Sequence, residues 1–382
     1  MNILISATYF HPYRSGLSTY ALRLARGLVG LGHKVVVLTS QYEPNLPEKE
    51  AYQGIVIIRV PVTARLSKGV LMTGLKRAAR EWMTWADVVN LHLPQFESAM
   101  LAGIAKRMRK PVVITYHCDL EMKGGPLSRL AGWGTNFLAG KALRKARLIV
   151  QNSLDYAQHT STLKPYLQKV VEVPTPINLK KADPGEIVAF REKYGLSKGL
   201  KIIGLAGRVA AEKGWEFLAQ AMPVVWQSHP DAIVVHAGMW KGVVGEEKYQ
   251  AKIEKMLKPF GERWHLLGFV DDAELNAFFG ACDVFILASL NRTESFGIVQ
   301  VEALAQGTPV IASDLPGIRM PVTRTGCGRL VKPRDIHALA EVIIQSLDKE
   351  RQRCEPEEYL KQFAEAEVAA RYSQLFEEAA GQ

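Results

Sequence analysis

The chain has 382 residues, more than a single hydrophobic core usually holds, so two domains are expected. Apolar residues make up 48% and charged residues 23%, an ordinary soluble globular balance, and no apolar run is long enough to span a bilayer. The net charge of +10 is uneven: residues 1–180 carry 24 Lys and Arg against 10 Asp and Glu, while residues 181–382 carry 24 against 28, so the first half is the one expected to meet an anion.

Met1-Asn-Ile-Leu-Ile runs directly into a strand pattern with no basic leader, so no secretory signal is expected. Strands then read at Ile3–Ala7, Val35–Thr39, Ile55–Val60, Val88–His92, Val112–Thr115 and Leu148–Gln151. Helical patterns fall between several of them, as at Thr19–Gly30, where Ala21, Leu24, Ala25 and Leu28 share one face. Basic residues cluster in Arg65–Arg80, Lys106–Lys110 and Lys123–Arg147, and the last stretch interleaves Trp133, Phe137 and Leu138 with Lys141, Arg144 and Lys145. That mixture suits a peripheral contact with anionic lipid, although a charged surface is more often merely solvated. No nucleic-acid motif accompanies the charge, so that partner is not expected.

The run Val173–Gly185 is rich in proline and turn residues, and residues 176–199 read as a linker between a first domain (1–175) and a second (200–364). Strands resume at Ile202–Ala206, Ile233–Ala237, Val284–Ala288 and Val310–Ala312, separated by helices at Glu216–His229, Ala273–Ala281 and Val299–Gln306. Further helices read at Ile336–Leu347 and Glu365–Glu378. Near-continuous apolar strands alternating with helices mean parallel sheets covered on both faces, hence two doubly wound α/β domains. The four cysteines, Cys118, Cys282, Cys327 and Cys354, show no metal-binding spacing, which points to a reducing, cytoplasmic compartment.

The most specific segment runs from Thr293 to Ala312, where a strand leads through a loop into a helix opening near Gly297. Backbone amides of Phe296, Gly297 and Ile298 there would face a bound anion, and Gly297 would let a phosphate approach the backbone. Glu302 could accept hydrogen bonds from a ribose diol, and Glu294 from hydroxyls of a transferred sugar. Taken alone, both acids would read as capping or solvated helix carboxylates. A second segment, Gly204-Leu-Ala-Gly-Arg208-Val-Ala-Ala-Glu-Lys213-Gly-Trp, puts two cations beyond a strand end, where open α/β sheets bind ligands.

These motifs together resemble the retaining, family 4 glycosyltransferases of GT-B fold, two facing Rossmann-like domains with a cleft between them. The resemblance rests on Glu294-x7-Glu302 in its Glu-Ser-Phe-Gly context and on Gly207-Arg208 with Glu212-Lys213-Gly214. It continues through Leu267-Gly-Phe-Val270, Ala281–Ser289 and Gly307–Ser313. It implies that Arg208 and Lys213 bind a diphosphate and that Glu294 contacts the donor sugar, with Ser295, Phe296, Gly297 and Ile298 close by. It also implies that Glu302 holds the ribose, that Phe269 and Val270 border the base, and that the C-terminal helix (about 365–382) packs back on the first domain. Val235-His236-Ala-Gly238-Met-Trp departs from the family's Gly-acidic-Gly ending.

In the first half, Tyr9–Tyr20 joins the first strand to the first helix, and the family's paired glycines appear as Ser15-Gly16, so only Gly16 is carried over as a binding residue. His117 lies just past a strand end; the resemblance turns it toward the donor sugar, making it a catalytic residue beside Glu294. Asp119 and Glu121 are weaker candidates for orienting an acceptor, and His92 ends another strand with a structural or functional role equally open.

No Asp-x-Asp motif stands in a donor-site context, so no metal or other cofactor is expected; the nucleotide-diphosphate sugar is a co-substrate. Arg208, Lys213 and the helix near Gly297 would stabilise charge on the leaving phosphate while the closing cleft excludes water. The expected activity is a retaining, metal-independent transfer of a hexose from a UDP- or GDP-sugar to a sugar, glycolipid or other hydroxyl acceptor, in the cytoplasm or on the inner membrane face. An epimerase or phosphorylase on the same fold is the alternative enzyme. A non-catalytic carbohydrate-binding protein is the alternative of another class, opposed by the joint presence of Arg208, Lys213, Glu294 and Glu302.

Overall fold

The computed structural model describes residues 1–66, 69–120, 126–243, 245–349 and 354–381. The chain divides into two compact units: Met1–Ile177 with Gln362–Gln382, and Asn178–Lys361.

The first unit is built on strands β1 (Asn2–Ser6), β2 (Lys34–Gln41), β3 (Lys49–Tyr52), β4 (Ile55–Pro61), β7 (Val88–Leu93), β8 (Val112–Tyr116), β9 (Leu148–Gln151) and β10 (Val170–Glu172). A short antiparallel hairpin, β5 (Ala64–Leu66) and β6 (Gly69–Leu71), stands beside them. The main sheet runs β10-β9-β8-β7-β1-β2-β4-β3, parallel except for the edge strand β3. Alternation sorts each strand between two cores. Leu4, Val36, Leu38, Val89, Leu91 and Ile114 face helices α2 (Leu75–Trp85), α3 (Ser98–Arg107) and α4 (Pro126–Lys145). Ile3, Ile5, Val35, Val37, Val88 and Val113 face α1 (Gly16–Gly30) and the C-terminal helix α14 (Glu365–Ala380). The remaining helix of this unit is α5 (Leu154–His159).

Helix α14 belongs to this unit because its apolar stripe, Val368, Tyr372, Leu375, Phe376 and Ala379, follows helical spacing and joins the same core as α1. A Cβ on Gly27 of α1 would stand 2.7 Å from Ala369 Cβ, so the missing side chain is what allows the two helices their close approach. Arg26 closes the contact with an ion pair to Glu365.

The second unit is a fully parallel sheet of β11 (Lys201–Ala206), β12 (Ala232–Ala237), β13 (Trp264–Gly268), β14 (Val284–Leu287), β15 (Val310–Ser313) and β16 (Gly328–Val331). Its order is β13-β12-β11-β14-β15-β16. Helices α7 (Trp215–Ser228), α8 (Glu247–Leu257), α9 (Asp272–Ala281), α10 (Ile298–Ala305), α11 (Met320–Thr325), α12 (Ile336–Asp348) and α13 (Glu357–Lys361) connect and cover the strands.

The stretch 176–199, expected to be a linker, is structured. Pro184–Lys193 forms helix α6, begun by an Asp183–Glu186 capping box and Pro184 in the first turn. Phe190 is buried, its ring 6.1 Å from Phe278 of α9, and Ile187 fills the space left by Gly280. Of the prolines that suggested a linker, Pro184 initiates a helix of the second unit, while Pro174 and Pro176 lie in the first. Residues 362–364 lie with the first unit, so the second ends at Lys361 rather than at 364.

Each sheet has one topological switch point, where successive crossovers leave in opposite directions: between β1 and β7 in the first, and between β11 and β14 in the second. Ligands of open α/β sheets bind outside the strand C-termini at such points.

Candidate active site

In the second unit the switch point is where two loops are tied together. The loop after β11 turns at Gly207 (φ 112°), passes Arg208, and tightens at Ala211–Lys213 before Gly214 (φ 67°) opens α7. A Cβ on Gly214 would lie 2.2 Å from the Ala288 carbonyl, so only glycine lets this loop sit against the end of β14. The Leu290 amide donates to the Glu212 carbonyl at 2.8 Å and completes the tie.

Those constraints bring Lys213 to Glu294, 81 residues away, and the two side chains form an ion pair with each only 18% exposed. Arg208 is paired in turn with Glu212, four residues on. Two cation–carboxylate pairs therefore stand on the loops beyond the C-terminal ends of β11 and β14. Glu294 is not a helix cap, because its carboxylate is spent on Lys213. Glu302 is not a solvated helix acid either: it is 9% exposed on α10.

Helix α10 starts from Gly297 in left-handed backbone (φ 73°, ψ 71°), with no side chain capping it. A Cβ there would meet Leu287 Cδ2 at 2.2 Å. Glycine is thus demanded by the turn and its packing on β14, a reason additional to room for a phosphate. Gln300, which sequence reasoning passed over, donates to the Phe296 and Ile318 carbonyls and fixes the Ser295–Gly297 segment from behind. Ser295 and Phe296 are buried.

The departure at Val235–Gly238 has a structural account. His236 is fully buried in β12, and its Nε2–H donates to the Gly207 carbonyl. Burial lowers its pKa to about 4, so the ring is neutral. A Cβ on Gly238 (φ 140°) would lie 2.2 Å from the same carbonyl. The pair props the turn that carries Arg208. At the end of β13, Gly268 accepts from the Gly238 amide at 2.7 Å; Phe269 beyond it is 57% exposed and Val270 buried. Asp271, next along the chain, caps α9 by accepting from the Glu274 amide.

In the first unit Ser15 caps α1 through a reciprocal bond set with Ser18, in ordinary extended backbone (φ −151°, ψ 165°). Ser15 stands where the resemblance implied a first glycine, and Gly16 is the first helical residue. His117 sits past β8, its amide donating to the Leu93 carbonyl at 2.8 Å, and its ring Nε2 lies 3.0 Å from His92 Nδ1. Burial holds the His117 pKa down to about 3 and that of His92 well below the usual range, so both rings are neutral at physiological pH.

Asp119, an expected acceptor-orienting group, proves structural. It is 6% exposed, accepts from the Tyr116 and Thr160 hydroxyls, and its amide donates to the Tyr156 hydroxyl at 2.7 Å. Glu121 lies outside the described residues, as do Lys68 and Lys123. On α4, Trp133 and Phe137 stack at 5.5 Å while 65% and 50% exposed, with Lys141 over the Phe137 ring. Nearby on the same unit, Lys76, Lys106, Arg107 and Lys145 line a cavity of about 540 Å³ floored by Met100 and Ile104. Among the described residues no helix is long and apolar enough to cross a membrane.

Two doubly wound α/β units, the second with cation–carboxylate pairs and a helix N-terminus without a side-chain cap at its switch point, define the class: an open α/β protein of the kind that binds ligands beyond its strand C-termini. Comparison with known proteins makes that class specific. The glycosyltransferase family 4 model matches residues 14–181 and the glycosyl transferases group 1 model residues 187–366. The chain belongs to this family of glycosyltransferases. It is 28% identical over 353 residues to the 2-deoxystreptamine glucosyltransferase of Streptomyces kanamyceticus, covering 86% of this chain and 88% of that one. It is 27% identical to the alpha-monoglucosyldiacylglycerol synthase of Acholeplasma laidlawii, covering 81% and 80%. Alr3699/HepE of Anabaena, solved with UDP and glucose, superposes with a TM-score of 0.77 at 18% identity over 98% of this chain and 99% of that one. The fold is therefore GT-B, as the motifs implied.

Proposed function

We propose that the enzyme transfers a hexose, with retention at the anomeric carbon, from a nucleotide-diphosphate sugar to a hydroxyl acceptor. The observation that carries this reading is the meeting of Lys213 and Glu294 at the second sheet's switch point. In the proposal Lys213 and Arg208 bind the diphosphate, helped by the amides around Gly297 and the α10 dipole. Glu294, already held by Lys213, accepts from a hydroxyl of the transferred sugar. Glu302 takes the ribose diol, and the backbone at Phe269 and Val270 borders the base.

The acceptor oxygen attacks the anomeric carbon on the face from which the phosphate departs. The carbon–phosphate-oxygen bond breaks as the new glycosidic bond forms, and the acceptor hydroxyl proton passes to the leaving phosphate oxygen. Arg208 and Lys213 neutralise the charge developing there without a metal. His117 accepts a hydrogen bond from the same sugar. UDP is the favoured nucleotide, since the structurally similar Alr3699/HepE was solved with it.

A glycolipid acceptor at an anionic membrane surface is the favoured setting. Its support is the exposed Trp133–Phe137 pair beside Lys141, the cationic cavity, and a relative that makes a glucosyldiacylglycerol. A thermal-shift panel of nucleotide sugars tests the donor: one of them should raise the melting temperature, and a flat response to all would remove the nucleotide-sugar reading. Sedimentation with anionic and neutral vesicles tests the setting, with binding to the anionic set alone as the expected result.

A further inference from the structure

Beneath His117 lies a chain of buried hydrogen bonds whose direction can be worked out atom by atom. It begins at the Val113 carbonyl, which can only accept. Asn90, fully buried in β7, therefore turns its Nδ2 toward that carbonyl (3.1 Å), and Nδ2 also donates to Thr115 Oγ1 (3.0 Å). This leaves Asn90 Oδ1, an acceptor, against His92 Nε2 at 2.8 Å, so that nitrogen carries the proton. A neutral His92 then has a bare Nδ1, which faces His117 Nε2 at 3.0 Å. His117 Nε2 must be the protonated one.

We infer that Asn90 and His92 form a relay that locks His117 as its Nε2–H tautomer, so that His117 presents an Nδ1 lone pair and accepts hydrogen bonds without giving them. The surroundings hold the relay in place. Tyr20 sets its ring edge-on to His117, with centroids 4.9 Å apart, and its hydroxyl meets that of Tyr372 at 2.8 Å. Tyr372 in turn meets Thr115 Oγ1 at 2.9 Å, so α14 is bolted to the same cluster. His92 and Asn90 are 0% exposed and cannot reach a ligand; they are positioning residues. Burial disfavours protonation of either ring, which would break the sequence of donors and acceptors.

The consequence is a choice of substrate. A ring nitrogen that only accepts suits a hydroxyl, which donates, and repels a carboxylate, which does not. The site thereby takes a neutral sugar and rejects the matching uronate. This consequence rests on the proposed meeting of His117 with the transferred sugar; the tautomer itself does not.

Nitrogen-15 spectra of the full chain labelled at histidine, with the His117 signal assigned by His117→Gln, read the tautomer directly. The expected result is a protonated Nε2 and an unprotonated Nδ1 from pH 5 to 8; the opposite pattern, or averaging of the two, overturns the relay. In His92→Phe the two nitrogens should drift toward averaging, whereas His92→Gln, whose Oε1 can still accept, should restore the locked form. If His92→Phe does not fold, the wild-type and His92→Gln spectra still decide. Turnover with the active hexose donor against its uronate counterpart should fall in selectivity about tenfold in His92→Phe. A locked tautomer with undiminished turnover in His117→Ala would keep the relay and remove His117 from the reaction.

Discussion

Lys213 and Glu294 illustrate how one contact carries two duties. As an ion pair it holds both side chains in place; in the proposed function it would also offer a cation to phosphate and a carboxylate to hydroxyls. Glu294→Gln separates the duties. It keeps the shape but frees Lys213 of its counter-charge, so a nucleoside diphosphate should bind as tightly or more tightly while transfer falls by about 10²–10³-fold. Calorimetry and turnover measured together check that split; equal losses in both would place Glu294 in ground-state binding only. Lys213→Ala should weaken both. At Gly238 the effect is on the fold: alanine there would drive a methyl into the Gly207 carbonyl at φ 140°, and should cost about 2–4 kcal/mol in a denaturant titration.

Among the elements, α14 shows most clearly how local pattern becomes architecture. Its stripe from Val368 to Ala379 makes it a core helix of the first unit, and its buried Tyr372 hydroxyl reaches those of Tyr20 and Thr115. Tyr372→Phe keeps the ring and removes the hydroxyl that both neighbours share, so the first unit should lose about 1–3 kcal/mol. Chemical denaturation followed on that unit checks the loss. Histidine spectra taken on the same variant would register any loosening of the His92–His117 pair.

Across the whole molecule, His92, His117 and His236 are neutral in the folded state because burial lowers their pKa below the ordinary 6.5. As pH falls the unfolded chain takes up these protons first, so the stability they permit is complete above pH about 6.5 and is lost on acidification. For His236 the loss runs from about 6.5 down to its folded value of about 4. A melting temperature that declines through this window, and declines less steeply in His236→Gln, is the expected observation. A curve unchanged by that substitution would mean His236 does not carry its share.

The sequence by itself determined the two doubly wound domains, because near-continuous apolar strands alternating with amphipathic helices admit few other solutions. It also determined the family, because Glu294, Glu302, Arg208 and Lys213 stand in fixed local contexts that survive as strings of letters. It misread residues 176–199, where Asp183-Pro184 begins a helix instead of a linker, since the helix earns its place only by packing Phe190 and Ile187 on α9. Only the tertiary structure could assign Asp119 to the interior, tie His236 to the Gly207 turn, or run a line of donors and acceptors from Val113 to His117. Those facts depend on which distant side chain ends within 3 Å or so of which atom, and hydrogen bonding between segments leaves no periodic trace along the chain.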